Sequence, residues 1–388
     1  EDIMLTKNAI HYYSVIRKKF EKSYLAEDAN QIIIGIDCDY IDSHEYSYKT
    51  LELFYNNQKA IAPFAGLFGI FSYETIHFFE KIEKKEKSQF EFPQFVFANA
   101  KAYLHYSKIS KMYTFYGDEE KYYNFLENES FTEKPAENEF FYKIETDLDK
   151  EKEHFYDIVE KAKEYIKMGD IFQVVLSEQL CLESNIDSLE FYKKLAKANP
   201  SPYMFHFPTK YGDVVGSSPE ILAEILFNNI YIAPIAGTRP RGKDANEDAF
   251  LAQDLLNDPK ECAEHRMLVD LARNDIGKFA RQGSVIVKNM MHVKHYQHVM
   301  HIVSEVFGQK RNDVSLFDII SSVFPAGTLS GAPKIRAMEI IGELEEYKRN
   351  IYGGGIGFLH FNGNMQLAIV IRSAFFANRN NATDNISE

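Results

Sequence analysis

Three cysteines, Cys38, Cys181 and Cys262, are too few and too far apart to form a CxxC pair or a secreted disulfide framework. Their spacing points to a reducing cytoplasm and supports no sulfur-based metal site. Long apolar runs are also missing. Stretches such as residues 31–36 and 367–371 fall far below the roughly 18–20 residues that span a bilayer. No secretory signal opens the chain, which starts at Glu1 rather than methionine and is expected to lack a few of its natural first residues. Nor is there an excess of positive charge: 44 Lys and Arg stand against 57 Asp and Glu, a formal net charge of −13. That balance argues against a general phosphate-tracking surface for nucleic acid. A GxxxxGK[ST] phosphate loop, a short-period repeat and a cysteine in a glycine elbow are absent too.

What is present is apolar material, 45 % of 388 residues, enough for one large core or two coupled ones with a cleft between layers. From residue 1 to about 147 the text is rich in Tyr, Phe and Lys, with β-like runs at 31–37 and 94–106. The charged stretches 80–87 and 127–139 read as solvated loops. The style changes at 147–151, where an acidic start leads into Phe155, Ile158, Val159, Ala162 and Ile166, one face of a helix that Gly169-Asp170 ends. Residues 171–180 alternate, with Phe172, Val174, Leu176 and Leu180 on one side and Gln173, Ser177 and Gln179 on the other, the pattern of a half-buried strand. Strands are expected at 214–217, 221–227 and 230–235, the last two turning at Asn228-Asn229. Helical text covers 247–280, 294–307, 315–321 and 331–346, and strands return at 355–361 and 365–374. Blocks of adjacent strands interrupted by helices predict an α+β fold with antiparallel sheets.

Several segments are able to carry chemistry. Asp258-Pro259-Lys260-Glu261 reads as a helix start, and beyond it Glu261, Glu264, His265 and Leu268 share a face. Two carboxylates and an imidazole on one stripe suit magnesium binding and proton transfer; a capping box with Glu264 in water is the alternative. Asp270 and Arg273-Asn274-Asp275 continue the helix, with buried ion pairing as plausible as catalysis. Pro325-Ala326-Gly327-Thr328 and Ser330-Gly331-Ala332-Pro333-Lys334 lead into helical text, so backbone N–H groups and a dipole end face one spot, a carboxylate or phosphate site or a mere helix entry. Gly353-Gly354-Gly355-Ile356-Gly357 precedes a strand, which fits close backbone approach to a ligand, or a bulge, better than a dinucleotide fingerprint. Tyr352 and Arg372 flank that hairpin, and Arg372 suits a carboxylate of a ligand or a structural acid. Residues 235–242 form a glycine-hinged basic loop able to order over an anion, and Glu220 in Ser217-Ser218-Pro219-Glu220 becomes a general acid if desolvation raises its pKa.

Together these segments resemble the chorismate-utilising enzymes, and within them anthranilate synthase component I. The resemblance is carried by GDIFQVVLS (169–177), SPYMFHF (201–207), GSSPE (216–220), PIAGTRPRG (234–242), ECAEHRMLVDLARNDIG (261–277), FPAGTLSGAPKIRAME (324–339), and YGGGIGF with AIVIRSA (352–374). The amino-terminal match rests mainly on PFAGLFGIFSYE (63–74). The resemblance implies two large antiparallel sheets packed face to face and flanked by helices, with the active site between them. It implies that Glu220 assists departure of the C4 hydroxyl of chorismate, that Glu264 binds Mg2+ beside Glu261, and that His265 lies near the ring proton lost with pyruvate. Thr238, Tyr352 and Arg372 resemble substrate contacts, with Gly327, Thr328, Gly331 and Gly355 lining the same region.

Gln173 stands where water-using relatives carry a lysine base, and Ala236 where aminodeoxychorismate synthases carry a lysine nucleophile. Direct attack of ammonia at C2 is therefore expected, giving anthranilate and pyruvate in tryptophan biosynthesis, with the ammonia drawn from a separate glutamine amidotransferase subunit. An aminodeoxychorismate synthase component and a chorismate-binding protein without turnover are the alternatives. The expected division is a β-rich region at 1–147 and a chorismate-binding catalytic region at 148–388. After residue 375 the family's further strand and acidic helix, which supplies a second magnesium carboxylate, are not matched, so weak magnesium binding is expected.

Overall fold

Two antiparallel sheets organise the computed structural model, which describes residues 2–3, 5–128 and 139–377. Most of the polar stretch 127–139 and the tail 378–388, on which the expectation of a missing acidic helix rests, lie outside the described residues. One sheet has eight strands and the other ten among the described residues, and both draw strands from either side of residue 147. In the first, Tyr203–Pro208 pairs with Tyr24–Glu27 on one side and Gly212–Ser218 on the other, and Ser373–Ala377 forms an edge. In the second, Gly355–His360 lies between Gly66–Phe71 and Met365–Ile369.

The sheets face each other across an aromatic layer. Tyr24 and Phe207 of the eight-stranded sheet meet Phe68 and Phe358 of the other, with the Tyr24 and Phe68 rings stacked at 4.4 Å. Each buried ring contributes on the order of 1.5–3 kcal/mol from apolar area removed from water. The outer face of the ten-stranded sheet carries Leu222, Ile225 and Val306 against Val269 and Ile276 of one helix and Ile320 of another. On the far side, Tyr13 and Ile16 of the helix Ala9–Lys19 cover Leu25, Ile34 and Leu104. Among the described residues no helix is long and apolar enough to cross a membrane, and all three cysteines are free.

Local signals set most element ends. Asp147 caps Leu148–Met168, which stops at Gly169 in the left-handed region, φ 84°. Ser315 and Asp318 form a reciprocal capping box at the start of Leu316–Val323. The hairpin turn falls one residue earlier than expected: Phe227 and Asn228 both take positive φ, and Leu226 pairs with Asn229. Residues 294–307 are not a helix. They belong to the strands Ile286–His295 and Val299–Gln309, where Met300, Ile302, Ser304 and Val306 alternate inward. Burial on a period of two outweighs helical spacing there. Only Gln173 and Val174 of the expected strand 171–180 join a ladder, with Gly331–Ala332. That pairing holds Gly331 and Ala332 extended, so the helix expected from residue 331 begins at Lys334.

Candidate functional site

Glu220 lies where the chain leaves the eight-stranded sheet after Ser218 and enters the other at Ile221. Its carboxyl accepts a hydrogen bond from Thr328 Oγ1 at 2.9 Å. Burial pushes its pKa up to about 7, against the lowering effects of that hydroxyl and of Arg372, so near neutral pH it holds a proton much of the time. Arg372 occupies the second crossover, between Met365–Ile369 of one sheet and Ser373–Ala377 of the other. It does not end a continuous strand: its φ of 50° kinks the backbone at the crossover, a conformation that costs a non-glycine residue free energy. Its charge acts on Glu220, Tyr296 and His301.

Thr238 sits in Ile235–Pro240 just past a bulge at Gly237, φ 72°. His301 Nδ1 lies 3.1 Å from Thr238 Oγ1 and 2.9 Å from the Gly237 carbonyl oxygen. The carbonyl only accepts, so that nitrogen carries the proton. A Cβ added at Gly237 would stand 3.1 Å from Glu261 Oε2, so glycine at this bulge lets the strand approach the helix Pro259–Gly277.

That helix starts as its sequence requires, with Pro259 in the first position and Asp258 accepting from the N–H groups of Lys260 and Glu261. The half-buried Glu264 accepts from Gln173 Nε2 at 2.8 Å. Gln173 is held by its ladder to Ala332, and a Cβ at Gly331, φ 141°, would lie 2.2 Å from the Gln173 carbonyl oxygen. His265 is fully buried, its Nε2 2.6 Å from Ser304 Oγ and its Nδ1 without a partner among the described residues. Burial, with His292 nearby, lowers its pKa to about 4, so the imidazole is neutral and keeps one bare nitrogen at pH 7.

Tyr352 stacks near the Arg349 guanidinium, 5.4 Å from its ring centroid, while Tyr73 approaches at 4.8 Å. Arg349, itself buried, donates to the carbonyl oxygens of Leu329 at 2.6 Å and Val175 at 2.7 Å and pairs with Glu345 at 2.5 Å. It therefore ties Tyr352 to the 327–331 turn and to the Gln173 strand. The sequence reading missed Arg349, Glu345, Tyr296, His301 and Ser304; a Glu and Arg four apart just before Tyr352-Gly353-Gly354 was the available signal for the first two.

Contacts, together with the electrostatic influence of the exposed Arg372, close a circuit. Thr328 touches Glu220, Arg372 acts on Glu220 and His301, and His301 meets Thr238, next to the Gly237 bulge against Glu261. One turn of helix on, Glu264 holds Gln173, which abuts Gly331 and so returns to Thr328. Gly327 borders this circuit, packed so that an added Cβ would meet Leu271 at 2.3 Å. Gly355 lies deeper, against Leu222 in the ten-stranded sheet.

Other candidate groups serve the scaffold. Lys334 Nζ pairs with the buried Asp275 at 2.6 Å, so the Ser330–Lys334 segment brings no lysine to the circuit. Asp270 pairs with Arg273 on an exposed face. Arg239 binds Asp254 and Asp258, and Arg241 binds Asp248; the charge expected to draw the 235–242 loop over an anion is already neutralised locally. Glu151, His154 and Glu178 also lie close enough together for one metal ion, but neither Glu261 nor Glu264 belongs to that group. Magnesium takes oxygen ligands and needs only one or two protein carboxylates when water and substrate complete its shell. Glu261 and Glu264, half-buried on one helix face beside the orphaned Gln173 Oε1, fit that requirement.

The profile of the family described as chorismate binding enzyme matches residues 6–383. Anthranilate synthase component 1 of Acetivibrio thermocellus is 54 % identical over 224 residues, 57 % of this chain and 45 % of its own length. The protein of that name from Methanothermobacter marburgensis is 42 % identical over 308 residues, 79 % of this chain and 66 % of its own length. The crystal structure of anthranilate synthase component I from Streptococcus pneumoniae TIGR4 superposes with a TM-score of 0.75 at 29 % identity, covering 97 % of this chain and 86 % of that one. The chain thus spans about half to two thirds of the length of these curated relatives.

Proposed function

The chain belongs to the chorismate binding enzyme family, and from that premise we propose that it is the chorismate-converting part of a Mg2+-dependent anthranilate synthase, a lyase of tryptophan biosynthesis working in the cytoplasm. Chorismate and ammonia give anthranilate and pyruvate, and a separate glutamine amidotransferase subunit delivers the ammonia. Residues 148–388 carry the chemistry in this reading, while 1–147 have a structural and regulatory share.

The observation that carries the proposal is Glu220, a half-buried residue whose desolvated carboxyl has its pKa pushed up to about 7, held by Thr328 and acted on by the Arg372 charge. Ammonia is already a nucleophile, so amination at C2 needs an acid more than a base. As the C2–N bond forms and the C4–O bond breaks, Glu220 gives its proton to the departing hydroxyl, which leaves as water. Arg372 and Tyr352 hold substrate carboxylate, Thr238 and the Gly327, Thr328 and Gly331 turn orient the ring, and Gly355 supports the hairpin behind it. Glu264, with Glu261 beside it, would hold Mg2+, which supplies charge neutralisation for a ring carboxylate. In the second half His265 accepts the ring proton at C2 as the C3–O bond breaks, and the enolpyruvate that departs takes a proton on its methylene carbon to become pyruvate.

Two features favour the C2 amine over water or C4 products. The Gln173 amide is hydrogen-bonded to Glu264 and is no base, and Ala236 offers no nucleophile. Chromatography of the products from chorismate, ammonium and Mg2+ tests the proposal: anthranilate is expected, and a C4-amino product or isochorismate refutes it.

A further inference from the structure

We propose that Ser304 is a positioning residue that fixes His265 in the tautomer with the proton on Nε2 and Nδ1 bare, and that a strained bulge in the neighbouring strand exists to aim Ser304. The inference deepens the functional reading above and rests on it for the role of His265.

Ser304 is fully buried in the strand Val299–Gln309, with its hydroxyl 2.6 Å from His265 Nε2. Opposite it the strand Ile286–His295 loses register between Lys288 and His292. Asn289 and Met291 take φ of 47° and 57° there, left-handed values that asparagine tolerates but that cost a residue such as methionine on the order of 1 kcal/mol or more. The bulge is held on both sides: Asn289 Nδ2 donates to Glu305 Oε2, and His292 Nδ1 meets the Asn289 carbonyl oxygen at 2.9 Å. Its effect is to bring two groups onto Ser304. The Met291 N–H donates to Ser304 Oγ at 2.8 Å, and the Ser304 hydroxyl points to Met290 Sδ at 3.7 Å.

A hydroxyl has one proton and two acceptor sites. With its proton on the thioether and one lone pair on the Met291 N–H, the remaining lone pair faces His265 Nε2 and takes a proton from it. All three capacities of the hydroxyl are then filled. In the reverse arrangement the hydroxyl donates to Nε2, the thioether and one lone pair are left idle, and the proton moves to Nδ1, which is buried without an acceptor among the described residues. The first arrangement makes three bonds and leaves Nδ1 bare; the second makes two and puts a proton on Nδ1 with nothing to accept it among the described residues.

The tautomer is read directly by two-bond 1H–15N correlation spectra of the full chain labelled with 15N-histidine, with the His265 signals assigned by their loss in His265→Gln. The expected result is a protonated Nε2 and a bare Nδ1. The opposite pattern overturns the proposal. In Ser304→Ala the single-tautomer pattern is expected to give way to an average of both forms, and an unchanged Nε2–H pattern overturns it equally. In turnover with ammonium, Ser304→Ala is expected to slow pyruvate release by roughly 10²-fold, with an aminated, pyruvate-bearing intermediate building up while chorismate is still consumed. Equal slowing of both halves contradicts the assignment. The spectra need no substrate and judge Ser304 alone, whereas wild-type protein that consumes no chorismate sinks the functional reading instead.

Discussion

The hydroxyl of Thr328 donates to the carboxyl of Glu220 across 2.9 Å, joining residues 108 positions apart in the chain. One comes from a sheet-to-sheet crossover and the other from the turn before the helix Lys334–Leu344. Their meeting brings an acid with a raised pKa to the place where the Arg372 charge also acts.

Glu220→Gln removes the proton donor while keeping shape and a hydrogen-bonding side chain. We expect kcat to fall by on the order of 10²–10⁴, with chorismate affinity changed far less. Steady-state rates and calorimetry on the same preparation check this.

The pH dependence follows from the same group. A carboxyl raised to about 7 in the folded chain from its ordinary 4.5 is protonated, and favours folding, below about pH 4.5; that contribution is lost as pH rises through about 7. The acid form disappears over the same interval. With free ammonia held constant, kcat/KM for chorismate is expected to fall above about pH 7, and thermal stability with it. Glu220→Gln should lose its share of the pH-linked stability change.

Much of this site was legible in the sequence because its parts are local. The Asp258-Pro259 helix start and the helix-face spacing of Glu261, Glu264 and His265 each depend on a few neighbouring residues. What was not legible depends on long-range pairing. Residues 294–307 have apolar spacing compatible with a helix, and it is the ladders joining Val299–Gln309 to residues 229–232, 235–240 and 286–295 that make them strands. With that strand misread, His301 and Ser304 had no reason to appear beside Thr238 and His265. Arg372 was recognised as a candidate, but its crossover kink arises from strands in different sheets, which no local pattern encodes.

Lys334→Met leaves Asp275 buried without its cation. Removing one partner of a buried pair costs roughly 3–5 kcal/mol, because side-chain exposure here is only 11 % for Lys334 and 7 % for Asp275. Urea unfolding should show the loss, while turnover of the still-folded fraction stays close to normal.

Gly331→Ala places a Cβ 2.2 Å from the Gln173 carbonyl oxygen at a φ of 141°. Both the clash and the dihedral penalise it, by more than about 1 kcal/mol, and relief requires the Gln173 strand to shift. We expect lower stability together with a raised KM for chorismate, whereas alanine at Gly169, with open space around its Cβ, should leave KM unchanged.

Glu264→Gln is expected to raise the Mg2+ concentration needed for half-maximal activity by roughly 10-fold or more. Glu151→Gln, in the separate acidic and histidine group, should leave that requirement as it was. A magnesium titration of rate for both variants decides between the two locations.

Glu220, Thr238, Arg372 and Glu264 are proposed to surround one small dicarboxylate ring in a single site, and a crystal of the protein soaked with chorismate and Mg2+ tests this most directly. Density for the ring is expected within hydrogen-bonding distance of Glu220, with its carboxylates toward Arg372 and the Glu264 helix. A ring bound elsewhere in the molecule, with those four side chains unchanged and untouched, would contradict it.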